Sequence, residues 1–180
     1  VAGETGEEVD ILLQNQRIGV FVDVQNMFYA ARNQHGARLN YGKLLEWLVD
    51  DRQLVRAVAY VIRSPEVDQS KFIAMLRGLH FEVRVKELRI RPDGSTKGDW
   101  DMGIAIDTLS LADRLDVVCL VSGDGDFVDL VQTLKAMGVR VEVYSFRPST
   151  AEELINAATD FIEIDPAMLI IPPERSNQNP

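Results

Sequence analysis

Chemistry in this chain has to come mainly from carboxylates. It carries 28 Asp and Glu residues against two histidines and one cysteine. A few of the aspartates fall where carboxylates can act together. Asp23 closes the apolar run Ile18-Gly19-Val20-Phe21-Val22. Asp124 and Asp126 follow the run Val117-Val118-Cys119-Leu120-Val121, inside the loop Ser122-Gly123-Asp124-Gly125-Asp126. The two glycines permit tight turns and close approach of a ligand to the backbone. The loop feeds a helix N-terminus, which favours anions. Asp101 lies in the first turn of another helix, which begins near Asp99 and also carries Asp107. Several ionised carboxylates on one rim repel one another unless a divalent cation or a retained proton offsets the charge. All-oxygen ligation suits Mg²⁺ or Mn²⁺ better than zinc or copper. Such a site can activate water and orient a phosphodiester for in-line attack. A lone Asp at a helix start is more commonly a cap, and that reading stays open for Asp99 and Asp107.

These residues need elements to position them. The apolar runs at 18–22 and 117–121 read as strands buried on both faces, the pattern of a parallel sheet. Further strands are predicted at 55–62, 81–90 and 139–144. Helices are predicted at 26–34, 41–51, 67–78, 99–113, 127–137 and 150–158, with Gly78 and Gly138 as helix stops. Residues 92–95 read as a turn. Strand–helix alternation of this kind predicts an α/β fold: a Rossmann-like three-layer sandwich with a mostly parallel central sheet. Ligands of such sheets bind beyond the carboxyl ends of the strands, where Asp23, Asp124 and Asp126 fall if their two strands are neighbours. One domain is expected over 17–165. Residues 1–16 read as a flexible N-terminal arm and 166–180 as a largely irregular C-terminal tail. The apolar step Met168-Leu169-Ile170-Ile171 invites packing on the domain or on a partner, including a second copy.

Three separated stretches, taken in order, resemble the NYN domain family. They are Phe21-Val22-Asp23-Val24-Gln25-Asn26, then Lys97-Gly98-Asp99-Trp100-Asp101 running on to Asp107, then Ser122-Gly123-Asp124-Gly125-Asp126-Phe127. More narrowly, they look like the LabA-like branch of that PIN-like nuclease superfamily, over about residues 17–163. The resemblance implies a metal-dependent ribonuclease site. In it, Asp23, Asp101, Asp124 and Asp126 match acidic metal ligands and catalytic positions. Asn26 matches a polar residue that supports the site or contacts substrate. Lys97, Ser122 and Asp107 match supporting positions, and Asp99 belongs to the motif of the narrower branch. The expected reaction is hydrolysis of single-stranded RNA with Mg²⁺ or Mn²⁺. The alternative is a regulatory member of the family that binds RNA or a protein partner without turnover.

Charge frames that expectation. The net charge is −9 and the pI about 4.7, which argues against holding nucleic acid by bulk charge. Two divalent ions at the cluster would bring −9 to about −5. From Arg84 to Lys97, five basic residues (Arg84, Lys86, Arg89, Arg91, Lys97) face two acidic ones, a local charge of +3. They could track a phosphate backbone or simply guard an edge strand. Trp100 could stack on a base or be buried under its helix, the better reading. His35 and His80 read as a surface and a turn residue, and Cys119 as a core thiol. Trp47 falls beside Leu44, Leu45 and Leu48 and reads as core. A single thiol excludes a disulfide framework. No apolar stretch approaches the ~18 residues of a membrane span, and no signal peptide is apparent, so the expected location is cytoplasmic. Two other carboxylate chemistries fit less well. A phosphohydrolase with Asp23 as nucleophile usually has a second Asp at position 25, which is Gln25. A topoisomerase-primase site wants Glu where Asp23 stands.

Overall fold

The structure is a computed structural model and describes residues 15–90 and 96–172. Arg91, the 92–95 turn and the Arg89 and Lys97 side chains lie outside the described residues. Six parallel strands form the central sheet: β1 (Arg17–Asp23), β3 (Gln53–Arg63), β4 (Glu82–Glu87), β7 (Val117–Val121), β8 (Arg140–Ser145) and β9 (Asp160–Glu163). Their order across the sheet is β4-β3-β1-β7-β8-β9. Numbered among themselves they run 3-2-1-4-5-6, the doubly wound order in which the chain reverses direction between its first and fourth strands. That reversal lies between β1 and β7, paired from Ile18↔Val117 to Val22↔Val121.

Strand residues alternate between two cores. Val20, Val22, Ala59, Val61, Cys119 and Val121 face one side, covered by α1 (Val24–His35), α2 (Tyr41–Val49) and α3 (Ser70–Gly78). Their helix partners include Met27, Leu44, Leu48 and Leu76, all fully buried. Phe21, Val58, Tyr60, Val118, Leu120, Val141 and Val143 face the other side. There α4 (Asp101–Leu111), α5 (Val128–Ala136) and α6 (Glu152–Ala157) cover the sheet, with Ile104, Val131, Leu134 and Leu154 as their buried residues. Burying each large aliphatic or aromatic side chain stabilises by roughly 1.5–3 kcal/mol. The expected α/β fold with a mostly parallel sheet is observed.

Several details differ from the sequence reading. The strand expected at 81–90 is two elements: β4 ends at Glu87, and β5 (Arg89–Ile90) pairs antiparallel with β6 (Thr96–Lys97) outside the main sheet. The break comes where the Leu88 N–H bonds the Arg63 carbonyl, at the end of β3. Gly78 does not take the left-handed conformation; His80 does, at φ 67°, so His80 is a turn residue. Gly138, at φ 86°, ends its helix as expected. The edge strand β9 was not expected; its four residues follow α6 and extend the sheet beyond β8. After residue 165 the chain adds β10 (Leu169–Ile170), which pairs antiparallel with β2 (Arg38–Leu39). Met168 and Leu169 pack on the core, while Ile170 and Ile171 stay exposed. Among the described residues, no helix is long and apolar enough to cross a membrane.

Candidate functional site

Asp23 is both the last residue of β1 and the N-cap of α1. Its Oδ1 accepts the Asn26 N–H at 3.1 Å, which satisfies one otherwise orphaned helix donor. Its Oδ2 accepts the Ser122 hydroxyl at 3.3 Å. Ser122 in turn accepts the Asp124 N–H at 3.2 Å, and Asp124 accepts the Asp126 N–H at 3.0 Å. Asn26 closes the circuit, its Oδ1 accepting the Gly123 N–H at 2.9 Å. A chain of local hydrogen bonds thus welds the end of β1 to the loop after β7. Gly123 is required here. A Cβ at this position would lie 2.4 Å from the Ser149 carbonyl oxygen and 2.9 Å from the Ser145 hydroxyl.

Asp101 reaches the same place from the first turn of α4. Asp101, Asp124 and Asp126 each offer a carboxylate oxygen, and the three oxygens lie within 4.8 Å of one another. Three ligands placed evenly at about 2.1 Å from one ion stand about 3.6 Å apart, so the three carboxylates need only close further on one another to share an ion. Asp23 is not in that triplet. It lies beside it, lining the same cavity of about 450 Å³ with Asn26, Asp99, Trp100, Asp101 and Asp124. Of the four expected metal ligands, three therefore converge directly, and Asp23 braces the loop next to them.

The electrostatics follow the geometry. Asp101 is pushed up to about 6, first by burial and then by the charges of Asp124, Asp99, Asp23 and Asp126. Asp23 is also raised, mainly by burial, with its Asn26 and Ser122 hydrogen bonds pulling the other way. For Asp101 the native value exceeds the ordinary one, so ionising it costs stability above about pH 6. The cost fades as pH falls from about 6 through the ordinary value of 3.8, and it is gone only below that, where both states are protonated. Asp101→Asn is therefore expected to raise the Tm of the chelator-treated protein at pH 7.5 by about 2–4 °C. That corresponds to about 1 kcal/mol after discounting for solvent screening. At pH 4.5 the difference should shrink to about a third of that. An equal gain at both pH values would sink the electrostatic account.

The supporting residues divide. Asp107 turns away from the triplet: it accepts the Tyr60 hydroxyl at 2.8 Å and pairs with Arg84 Nε at 3.0 Å. Its place is structural, fixing α4 on β3. Arg84 is accordingly held by Asp107 and Glu82 rather than offered to a phosphate backbone. Lys86 lies over the Trp100 ring at 4.1 Å and donates to the Asp99 carbonyl at 3.0 Å. Trp100 is half-buried, donating its indole N–H to the Val61 carbonyl at 3.0 Å and tilting against Tyr60. It thereby forms a wall of the cavity while serving the core. Asp99 is exposed at the rim. Gln25, Tyr29, Asn33, Ile62 and Ser149 also line the cavity and were not singled out from sequence. Gln25, Tyr29 and Asn33 stand at i, i+4 and i+8 on the helix that Asp23 caps, a legible signal.

The remaining residues behave as packing. Cys119 is buried, and burial pushes its thiol up. Trp47 packs edge-on against Tyr144 at 5.4 Å, and exposed His35 lies against Phe146.

An open parallel sheet carrying carboxylates at its point of reversal is a Rossmann-type α/β domain with an acidic site built on strand ends. The chain belongs to the NYN domain family, which it matches over residues 17–165. It is 30% identical over 157 residues to the Low amplitude and bright protein LabA of Synechococcus elongatus, covering 83% of this chain and 84% of that protein. It is also similar to a crystal structure of a protein of unknown function from Vibrio parahaemolyticus. The TM-score is 0.80 and the identity 38%, over 86% of this chain and 96% of that one.

Proposed function

We propose that this protein hydrolyses phosphodiester bonds of single-stranded RNA, using Mg²⁺ or Mn²⁺ held by Asp101, Asp124 and Asp126 with Asp23 alongside. The observation that carries this reading is the convergence of those three carboxylates from two separate elements, in a chain of the NYN family. The donor set is all oxygen and mutually repelling, which fits a hard divalent cation. When bound, such an ion would stabilise charge on the phosphate and lower the pKa of water. The chain's own residues position the parts. Ser122 holds Asp23 and Asp124 in register through one hydroxyl. Asn26 has its amide oxygen engaged by Gly123, which leaves the amide N–H groups to donate to a phosphate oxygen. Trp100 closes one side of the cavity against water.

The test is turnover of end-labelled single-stranded RNA in Mn²⁺ or Mg²⁺. Cleavage is expected to stop on adding chelator and to return when the metal is restored in excess. Cleavage that continues in chelator would overturn the metal-dependent reading. RNA binding with no turnover in either metal would favour the regulatory reading instead.

A further inference from the structure

The cavity beside the acidic triplet has an odd lining for a nucleic-acid site. Among the described residues it contains no Lys or Arg side chain. Its carboxylates repel phosphate unless an ion intervenes, so affinity for a polynucleotide has to come from elsewhere. The α1 wall supplies a candidate. Gln25, Tyr29 and Asn33 stand one helical turn apart and all face the cavity. Tyr29 is 53% exposed and its neighbour Phe28 45%, the two rings meeting edge-on at 5.4 Å. Large exposed aromatic side chains on a soluble helix leave apolar surface uncovered. Here the uncovered ring borders a polar cavity, next to two amides able to pair with the edges of a base.

We propose that Tyr29 is the stacking platform of a nucleobase subsite, with Gln25 and Asn33 meeting the base edge, adjoining the carboxylate triplet. The ligand class is an unpaired nucleotide of single-stranded RNA, and this inference rests on the RNA reading above. Bases stack on aromatic rings whatever their identity, and the amides add preference for particular edges. The cavity, about 450 Å³, is at the small end of ligand sites and suits one splayed-out nucleotide rather than a base pair. An unstacked base held by Tyr29 would fix its neighbouring phosphate near the triplet, so that a protein of net negative charge selects RNA through its bases.

The experiment uses the full chain carrying Asp124→Asn, so that RNA is not consumed, and reads oligonucleotide binding by fluorescence anisotropy in Mn²⁺. Two probes are compared: a short single-stranded RNA and the same RNA with abasic positions at its centre. Adding Tyr29→Ala is expected to weaken binding of the first probe by about tenfold or more and to leave the second unchanged. Tyr29→Phe should retain the binding of the parent. Asn33→Ala should alter the ranking among oligo-A, oligo-C and oligo-U. Equal losses on both probes, or no loss on either, would overturn the subsite. Absence of any RNA binding by the parent, and equally by the unsubstituted protein in Mn²⁺ on a hydrolysis-resistant phosphorothioate probe, would overturn it too. The nuclease reading fails separately: base-dependent binding through Tyr29 without turnover by the unsubstituted protein leaves the subsite standing and removes the hydrolase. Metal-dependent turnover indifferent to Tyr29 does the reverse.

Discussion

Asp124→Asn is expected to lower metal-dependent RNA turnover by at least about 100-fold while leaving the fold intact. Loss of a group that merely supports a metal ligand typically costs about 10–100-fold, and Asp124 is proposed as a ligand itself. Three observations single it out. It belongs to the carboxylate triplet, it caps the turn that carries Asp126, and its charge raises both Asp101 and Asp23. Asn keeps the shape and still offers an oxygen to the Asp126 N–H, so the loop should stay in place. The charge alone is removed. Calorimetric titration should show weaker Mn²⁺ binding in parallel with the loss of turnover. Unchanged cleavage in the variant would exclude this site as the seat of the reaction.

Arg52→Ala is expected to cost about 3–5 kcal/mol of stability, the range for stripping one partner from a buried ion pair. Arg52 meets Glu142 through two contacts, at 3.0 and 2.9 Å, with only 11% and 13% of the two side chains exposed. Glu142 sits mid-strand opposite Cys119 and also accepts the Tyr144 hydroxyl at 2.7 Å. Without Arg52, a charge stays inside the sheet with only a phenol and a thiol to solvate it. For a domain of this size the Tm should fall by about 10 °C. Replacing both partners, Arg52→Met with Glu142→Met, should recover most of the loss because no charge is then stranded. A single-variant loss below about 1 kcal/mol would mean that water reaches the pair and screens it.

The elements that the sequence made legible are those whose signal is local. The runs at 18–22 and 117–121 are apolar on every residue, and only a strand buried on both faces calls for that. Asp23 and the Ser122–Asp126 loop were recognisable because they end those runs. Other features carried no local mark. β9 has four residues, Asp160-Phe161-Ile162-Glu163, and its identity as a strand comes from pairing with β8. Position 78 is a glycine, yet the left-handed residue is His80, because α3 runs through Gly78 before turning. Arg84 and Lys86 formed a basic stripe in sequence, but Asp107 and the Trp100 ring take them up.

By itself, then, the sequence determined the class of fold and which carboxylates end strands or begin helices, since periodicity and capping act over a few residues. Only the tertiary structure decided which of them meet. Asp107 has the same chemistry as Asp101 on the same helix, but it lies against Tyr60 because α4 packs there. Ser122 and Asp23, 99 residues apart, touch because β7 lies beside β1. Strand order is a property of the whole packed sheet, and no spacing along the chain encodes it.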